Sequence, residues 1–148
     1  MAKPLFTIGY EGADPDRFVA ALKDAGVALV ADVRAVALSR KRGFSKNALR
    51  EALERQGVGY RHFIALGTPK RGRDAARAGD AATMRRIYCD EVLASEPALQ
   101  ALEALVSAAA EQPVCLLCFE RDPALCHRRL VAERLAGRGF AAIDLFVP

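Results

Sequence analysis

The sequence predicts a single-domain α/β fold over residues 1–148, with a mainly parallel sheet of about five strands and helices on both faces. Three observations carry this prediction. Short apolar runs alternate with segments of helical period along the whole chain. The run from Val114 is continuously apolar, as a strand buried on both faces must be. A length of 148 residues suits one domain and is enough to close a core without disulfides or metal.

Leu5–Gly9 reads as a buried strand bounded by Pro4 and by Gly9 and Gly12. Asp14-Pro15 supplies a cap and a first helical proline, and Phe18, Val19 and Leu22 supply the apolar face of a helix that stops at Gly26. Ala28–Val33 is the second strand. Ser45 caps a helix through Gln56, with Leu49 and Leu53 on one face and Gly57 beyond its end. Val58–Ile64 is a third strand, only partly buried because it carries Gly59, Tyr60, Arg61 and His62. Gly67–Gly79 shows basic clusters, Pro69, Gly72 and no periodicity, which predicts a long loop. Helices follow over about Asp80–Ala94 and Pro97–Glu111. Val114–Glu120 is the central strand. A last helix over about Leu125–Ala136 stops at Gly137 and Gly139, and Ala141–Val147 is the last strand.

With 52% apolar and 27% charged residues the chain is far from a disordered composition. No apolar run is long enough for a signal peptide or a membrane span, which points to the cytoplasm and away from a membrane. The net charge of +4 hides an uneven distribution. Between Arg34 and Arg86 lie 14 basic and 4 acidic residues, a local charge of +10 against −6 elsewhere. Such a block reads either as a surface for an anionic ligand, a nucleotide or nucleic acid, or as solvated arginines with no partner.

In a doubly wound sheet, ligands bind beyond the carboxyl ends of the strands. Those ends carry Gly9-Tyr10-Glu11-Gly12, Asp32-Val33-Arg34, Tyr60 and His62, and Cys118-Phe119-Glu120. The glycines flanking Tyr10 and Glu11 allow a tight turn or a close backbone approach, which would turn both side chains into a cleft. Asp32 and Arg34 are two apart and share a face, so they either pair with each other or orient the guanidinium toward a phosphate.

Cys115 and Cys118 match C-x-x-C, but three residues apart in a strand they project from opposite faces and share neither a metal nor a disulfide. Cys115 therefore reads as a core residue, and Cys89 as a helix residue whose facing the sequence leaves open. Cys118 shares a face with Glu120. Cys126-His127-Arg128 follows a short turn, and the start of the next helix decides its surroundings. If the helix begins at Pro123, Cys126 lies one turn inside; otherwise it sits near the helix start, where amides and cations depress a thiol pKa. Three roles stay open for Cys126: nucleophile, metal ligand or packed thiol. A zinc site needs about four ligands, and Cys118, Cys126 and His127 lack a fourth, so neither metal nor cofactor is assigned. His127 is either an acid/base or phosphate contact, or a helix cap.

Gly9-Tyr10-Glu11-Gly12, Asp32-Val33-Arg34, Ser39-Arg40, Phe44, Tyr60, Leu66-Gly67, and Cys118-Phe119-Glu120 with Cys126-His127-Arg128 together resemble the family catalogued as domain of unknown function 488, from about Phe6 to Leu145. Leu66-Gly67-Thr68-Pro69-Lys70 is similar to one subgroup. Ala37 stands where members often carry proline. The resemblance implies the single α/β domain and points toward nucleotide or nucleic-acid processing. On this reading Glu11 and Glu120 supply acid/base or nucleophilic carboxylates, as cleavage of a glycosidic bond needs. Arg34, Arg40 and Arg128 hold phosphate, and Tyr10 or Tyr60 stacks a base. A non-catalytic nucleic-acid-binding module and a Cys126 thiol enzyme are the competing readings.

Overall fold

The structure is a computed structural model and describes residues 2–148. Its five strands are β1 (Lys3–Gly9), β2 (Leu29–Asp32), β3 (Gly59–His62), β4 (Val114–Cys118) and β5 (Phe140–Leu145). They form one sheet in the order β3-β2-β4-β1-β5, with every neighbouring pair parallel. Six α-helices connect or flank them: α1 (Pro15–Asp24), α2 (Lys46–Glu54), α3 (Lys70–Arg77), α4 (Ala81–Ile87), α5 (Glu96–Glu111) and α6 (Arg128–Ala136). The predicted fold class is the observed one.

The helices cover both faces because alternate strand residues feed two cores. Phe18 and Leu22 of α1 and Leu49 and Leu53 of α2 pack with Ile8, Val30, Cys115 and Leu117. On the other face, Leu102 and Leu105 of α5 and Leu130 and Leu135 of α6 pack with Leu5, Ala31, Leu116 and Cys118. Strand β4 is buried at all five residues and sits in the middle of the sheet, as its unbroken apolar run predicts. Cys115 and Cys118 indeed belong to opposite cores. No helix among the described residues is long and apolar enough to cross a membrane.

Four local expectations change. The stretch predicted as a long loop from Gly67 to Gly79 contains α3, whose buried face consists of Gly72 and Ala76. Residues that small leave no apolar periodicity to read, yet they let the helix approach Thr68 closely. The segment predicted as one helix to Ala94 breaks after α4 into a single π-helical turn, Tyr88–Val92, whose buried Tyr88 hydroxyl donates to the Leu66 carbonyl at 2.6 Å. The last helix begins later than predicted. A 3-10 turn, Pro123–Leu125, is capped by Asp122, Cys126 is extended at φ −124°, and α6 starts at Arg128 with His127 as its N-cap residue. Ser45 occupies the N-cap position of α2, but its hydroxyl accepts from the Ser39 amide at 3.0 Å and so ties down the preceding loop instead.

The connections explain where a site forms. The chain leaving β1 enters α1, and the chain leaving β2 enters α2, both on one face. The chain leaving β4, which lies between those strands, enters α6 on the opposite face. Diverging exits from adjacent strands open a crevice at their carboxyl ends. At its β1 side, Gly9 lies so close to the turn after β4 that a Cβ there would sit 1.8 Å from the Glu120 carbonyl oxygen. This glycine is required by contact with backbone, not by its own dihedral angles.

Gly9→Ala is therefore expected to lower stability by about 1–3 kcal/mol, the usual range for overpacking, because neither backbone can yield without moving the Glu120 turn. Urea denaturation measures this, and an unchanged midpoint with unchanged slope would contradict the close packing.

Candidate functional site

A cavity of about 760 Å³ opens at the carboxyl ends of β1, β2 and β4. This volume is within the range of about 300–1,000 Å³ common for small-molecule sites. Tyr10 enters from the end of β1, the segment from Arg34 to Lys41 from the end of β2, and Cys118, Phe119 and Glu120 from the end of β4. Residues Gly72, Arg73, Ala76 and Arg77 of α3 close the remaining side. The helix absent from the sequence prediction thus forms a wall of the site.

The carboxylate of Asp32, fully buried at the end of β2, anchors the floor. It faces the Arg34 guanidinium side-on, with Nε–Oδ1 at 2.9 Å and Nη2–Oδ2 at 2.8 Å, and also accepts from the Arg34 amide and the Tyr60 hydroxyl. The pairing of these two side chains is one of the alternatives their spacing allows. Arg34 Nη1 donates to the Phe44 carbonyl at 2.7 Å and to the Tyr10 hydroxyl at 3.3 Å. The Tyr10 ring stacks on Phe44 at 4.6 Å and meets the edge of Phe119 at 5.3 Å. Burial and the Asp32 hydrogen bond push the Tyr60 phenol up, while burial of the Arg34 guanidinium is outweighed by Asp32, which holds it charged.

A second cluster lies under the cavity. The Sγ atoms of Cys118 and Cys126 and a ring nitrogen of His127 lie within 4.8 Å of one another, and all three residues are buried. His127 Nε2 is 2.7 Å from the Val33 carbonyl, and Nδ1 is 3.7 Å from Cys118 Sγ. Burial opposes charge on Cys126, but hydrogen bonds from Cys118 and His127 and the charges of His127 and Arg128 hold its thiol well below the usual range. Burial likewise opposes charge on His127, and Cys126 raises its pKa in spite of it. Cys118 moves up through its hydrogen bond to Cys126 and through burial. Burial and the neighbouring Cys126 push the Glu120 carboxyl up to about 7.

The sequence-predicted residues divide into three groups. Tyr10, Arg34, Ser39, Arg40, Glu120 and His127 line the cavity, together with Cys118. Asp32, Tyr60, His62, Cys126 and Arg128 support it from behind. His62 Nε2 is 2.7 Å from the Arg34 carbonyl. Arg128 is fully buried, and its guanidinium donates to the carbonyls of Glu120 and Arg121, clamping the turn that presents Glu120. Glu11 stands apart: it is exposed, and its carboxylate accepts from the Arg121 amide at 3.0 Å. Glu120 is therefore the one carboxylate among the described lining residues.

Sequence reasoning missed Thr68, Arg73 and the apolar rim of Val36 and Leu38. Leu38 is 73% exposed at the cavity mouth. Thr68 is buried in the lining, and its Oγ1 has no hydrogen-bond partner among the described residues. An isolated exposed leucine and a threonine in a predicted loop carry no periodic signal, and only the Leu66–Lys70 motif marks that stretch.

The profile of the family described as "Domain of unknown function DUF488" matches residues 14–135. No curated protein and no solved structure shows significant similarity to the chain.

Removing the Asp32 charge strands a buried guanidinium, so Asp32→Asn is expected to cost about 3–5 kcal/mol. Tyr60→Phe, which removes one bond to the same carboxylate, is expected to cost about 1.5–3 kcal/mol, the range for hydrogen bonds to charged groups. Chemical denaturation of both variants checks the order; a more damaging Tyr60→Phe would show that the carboxylate is not the anchor.

Proposed function

We infer that the chain, which belongs to the DUF488 family, binds a phosphate-containing ligand of nucleotide size in the cavity and acts on it with Glu120 as the general acid/base. The observation that carries this reading is the division of the cavity wall. Arg40, Lys41 and Arg73 line it without an ion-pair partner among the described residues, while Val36, Leu38, Phe119 and Met84 line it with apolar surface. A ligand with an anionic end and a flat apolar end matches both surfaces at once.

Two further features support a ligand at this place. An unpartnered buried hydroxyl is unfavourable by roughly 1–3 kcal/mol, and Thr68 Oγ1 is such a group in the cavity lining. Phe119 is 41% exposed beside Tyr10, at the mouth where a base would stack. Arg34 and Arg128 contribute indirectly. Arg34 is held by Asp32, Tyr10 and the Phe44 carbonyl, and Arg128 is fully buried outside the lining with both Nη atoms on backbone carbonyls. Phosphate recognition therefore falls to Arg40, Lys41 and Arg73, of which Arg73 gives Nη1 to the Thr68 carbonyl at 2.9 Å and keeps its other donors for a ligand.

Glu120 enters the cavity alone, because Glu11 points to the Arg121 amide outside it. The chemistry proposed is accordingly hydrolysis with one protein carboxylate managing the proton, with no second carboxylate acting as nucleophile. The thiol reading is less supported, since the Cys126 sulfur is buried behind Cys118 and His127 and does not line the cavity.

Thermal denaturation with nucleoside mono-, di- and triphosphates, single-stranded DNA or RNA, and inorganic phosphate tests the binding. A nucleotide is expected to raise Tm in a concentration-dependent manner, by the equivalent of about 2.7 kcal/mol at one hundred times Kd. The triple variant Arg40→Ala, Lys41→Ala, Arg73→Ala is expected to lose that response at unchanged fold. Glu120→Gln is expected to keep the Tm response and lose turnover of the nucleotide that binds. A response to nucleic acid alone would replace this reading with a backbone-binding module, and an unaltered nucleotide response in the triple variant would remove these three cations as the phosphate site.

A further inference from the structure

The cluster beneath the cavity points to a metal site that the ligand-binding reading does not require. We propose that Cys118, Cys126 and His127 bind one zinc ion per chain, with the fourth coordination position open toward the cavity.

The donor set is the first argument. Two thiols and an imidazole suit a borderline-soft divalent cation such as zinc and suit magnesium or calcium poorly. Spacing is the second. Zinc bonds of about 2.3 Å to sulfur and about 2.0–2.1 Å to nitrogen at tetrahedral angles place sulfur and nitrogen about 3.6 Å apart and two sulfurs about 3.8 Å apart. Cys118 Sγ and His127 Nδ1 are 3.7 Å apart, and the three ligand atoms all fall within 4.8 Å of one another.

The groups behind the ligands supply the third argument. His127 Nε2 donates to the Val33 carbonyl at 2.7 Å, which fixes the ring and leaves Nδ1 as the nitrogen facing the sulfurs. A ligand histidine held in this way by a backbone carbonyl is the usual outer arrangement of a zinc site. Cys126 Sγ accepts the Arg128 amide at 3.5 Å, a contact that stabilises a thiolate. The backbone is also held firmly. Cys118 ends the central strand, and Arg128 clamps the turn between Cys118 and His127 through the Glu120 and Arg121 carbonyls.

In the sequence these residues spread over ten positions and lack a fourth ligand, which is why spacing alone assigns no metal. Cys118 and His127 both line the cavity, so an ion held by the three borders the open space, and a water or a ligand oxygen from the cavity completes its coordination. Three protein ligands with one open position are the pattern of a catalytic zinc; structural sites are closed by four. Bound there, zinc supplies Lewis acidity next to Glu120.

The test uses the full chain, stripped with a chelator and titrated with zinc against a chromophoric competitor, and in parallel with cobalt(II). One equivalent of zinc is expected to bind, with a higher Tm as the ion binds only the folded state. Cobalt is expected to show tetrahedral absorption and a thiolate-to-metal charge-transfer band. Cys126→Ser and Cys118→Ser are expected to lose the site, whereas Cys89→Ser, in the π-helical turn, keeps it. No uptake by the wild-type chain, cobalt binding without the charge-transfer band, or loss of binding in Cys89→Ser would each overturn the assignment. The cobalt spectrum of the unaltered chain decides the matter even if the serine variants fail to fold. Repeating the nucleotide Tm measurement on the stripped protein separates the two proposals, because the rim cations do not depend on the ion.

Discussion

Everything at the functional end of the sheet is arranged around one buried charge pair, Asp32 with Arg34. A carboxylate with no exposure to water is tolerable only when its oxygens are fully occupied, and Asp32 accepts from two guanidinium nitrogens, one amide and one phenol. Satisfying it fixes four chain segments at once. Arg34 is turned toward the Phe44 carbonyl, which sets the loop between β2 and α2, and Tyr10 and Tyr60 are drawn in from β1 and β3. The geometry of the pair also leaves the Val33 and Arg34 carbonyls free to receive His127 and His62. The imidazole beneath the cavity is therefore positioned by backbone whose own course is set by the charge pair.

That arrangement shows why part of the site is legible in the sequence and part is not. Strand ends can be located from apolar runs, and the residue types that cluster there, Tyr10, Asp32, Arg34, Cys118, Glu120 and His127, stand out against them. Whether a side chain serves the ligand or the protein depends on partners that are mostly backbone carbonyls, and these have no sequence signature. Arg128 is an example: it reads as a phosphate ligand, yet it is fully buried and both its Nη atoms donate to the Glu120 and Arg121 carbonyls, with Nε left without a partner among the described residues. Glu11 and Glu120 look equivalent at two strand ends, and only the turn geometry sends one to the Arg121 amide and the other into the cavity. The helix α3 escapes detection for a related reason, since a buried face of Gly72 and Ala76 carries shape information but almost no hydrophobic signal.

The charge block between Arg34 and Arg86 is likewise resolved by position. Arg34 is internal, and Lys70, Arg71, Arg77 and Arg85 lie in exposed pairs with Asp74, Glu91 and Glu133. Exposed pairs contribute little to stability, but they reduce the charge presented to solvent. Among the described residues, the unpaired cations that line the cavity are Arg40, Lys41 and Arg73. Of the cations of the block outside these pairs, Arg42, Lys46, Arg50, Arg55, Arg61 and Arg86 lie away from the cavity wall, so the local charge of +10 is spread over several surfaces and only part of it faces the cavity.

The strand order also dictates a sequence of events in time. Among the described residues β1 is hydrogen-bonded only to β4 and β5, so it has no sheet neighbour until more than a hundred further residues have been synthesised. β2 and β3 can pair early, but the strand that joins them to β1 is β4. The same strand carries Cys118 and leads directly to Glu120. Joining of the two half-sheets and completion of the cavity are consequently one event, and a nascent or truncated chain that ends before Val114 has neither.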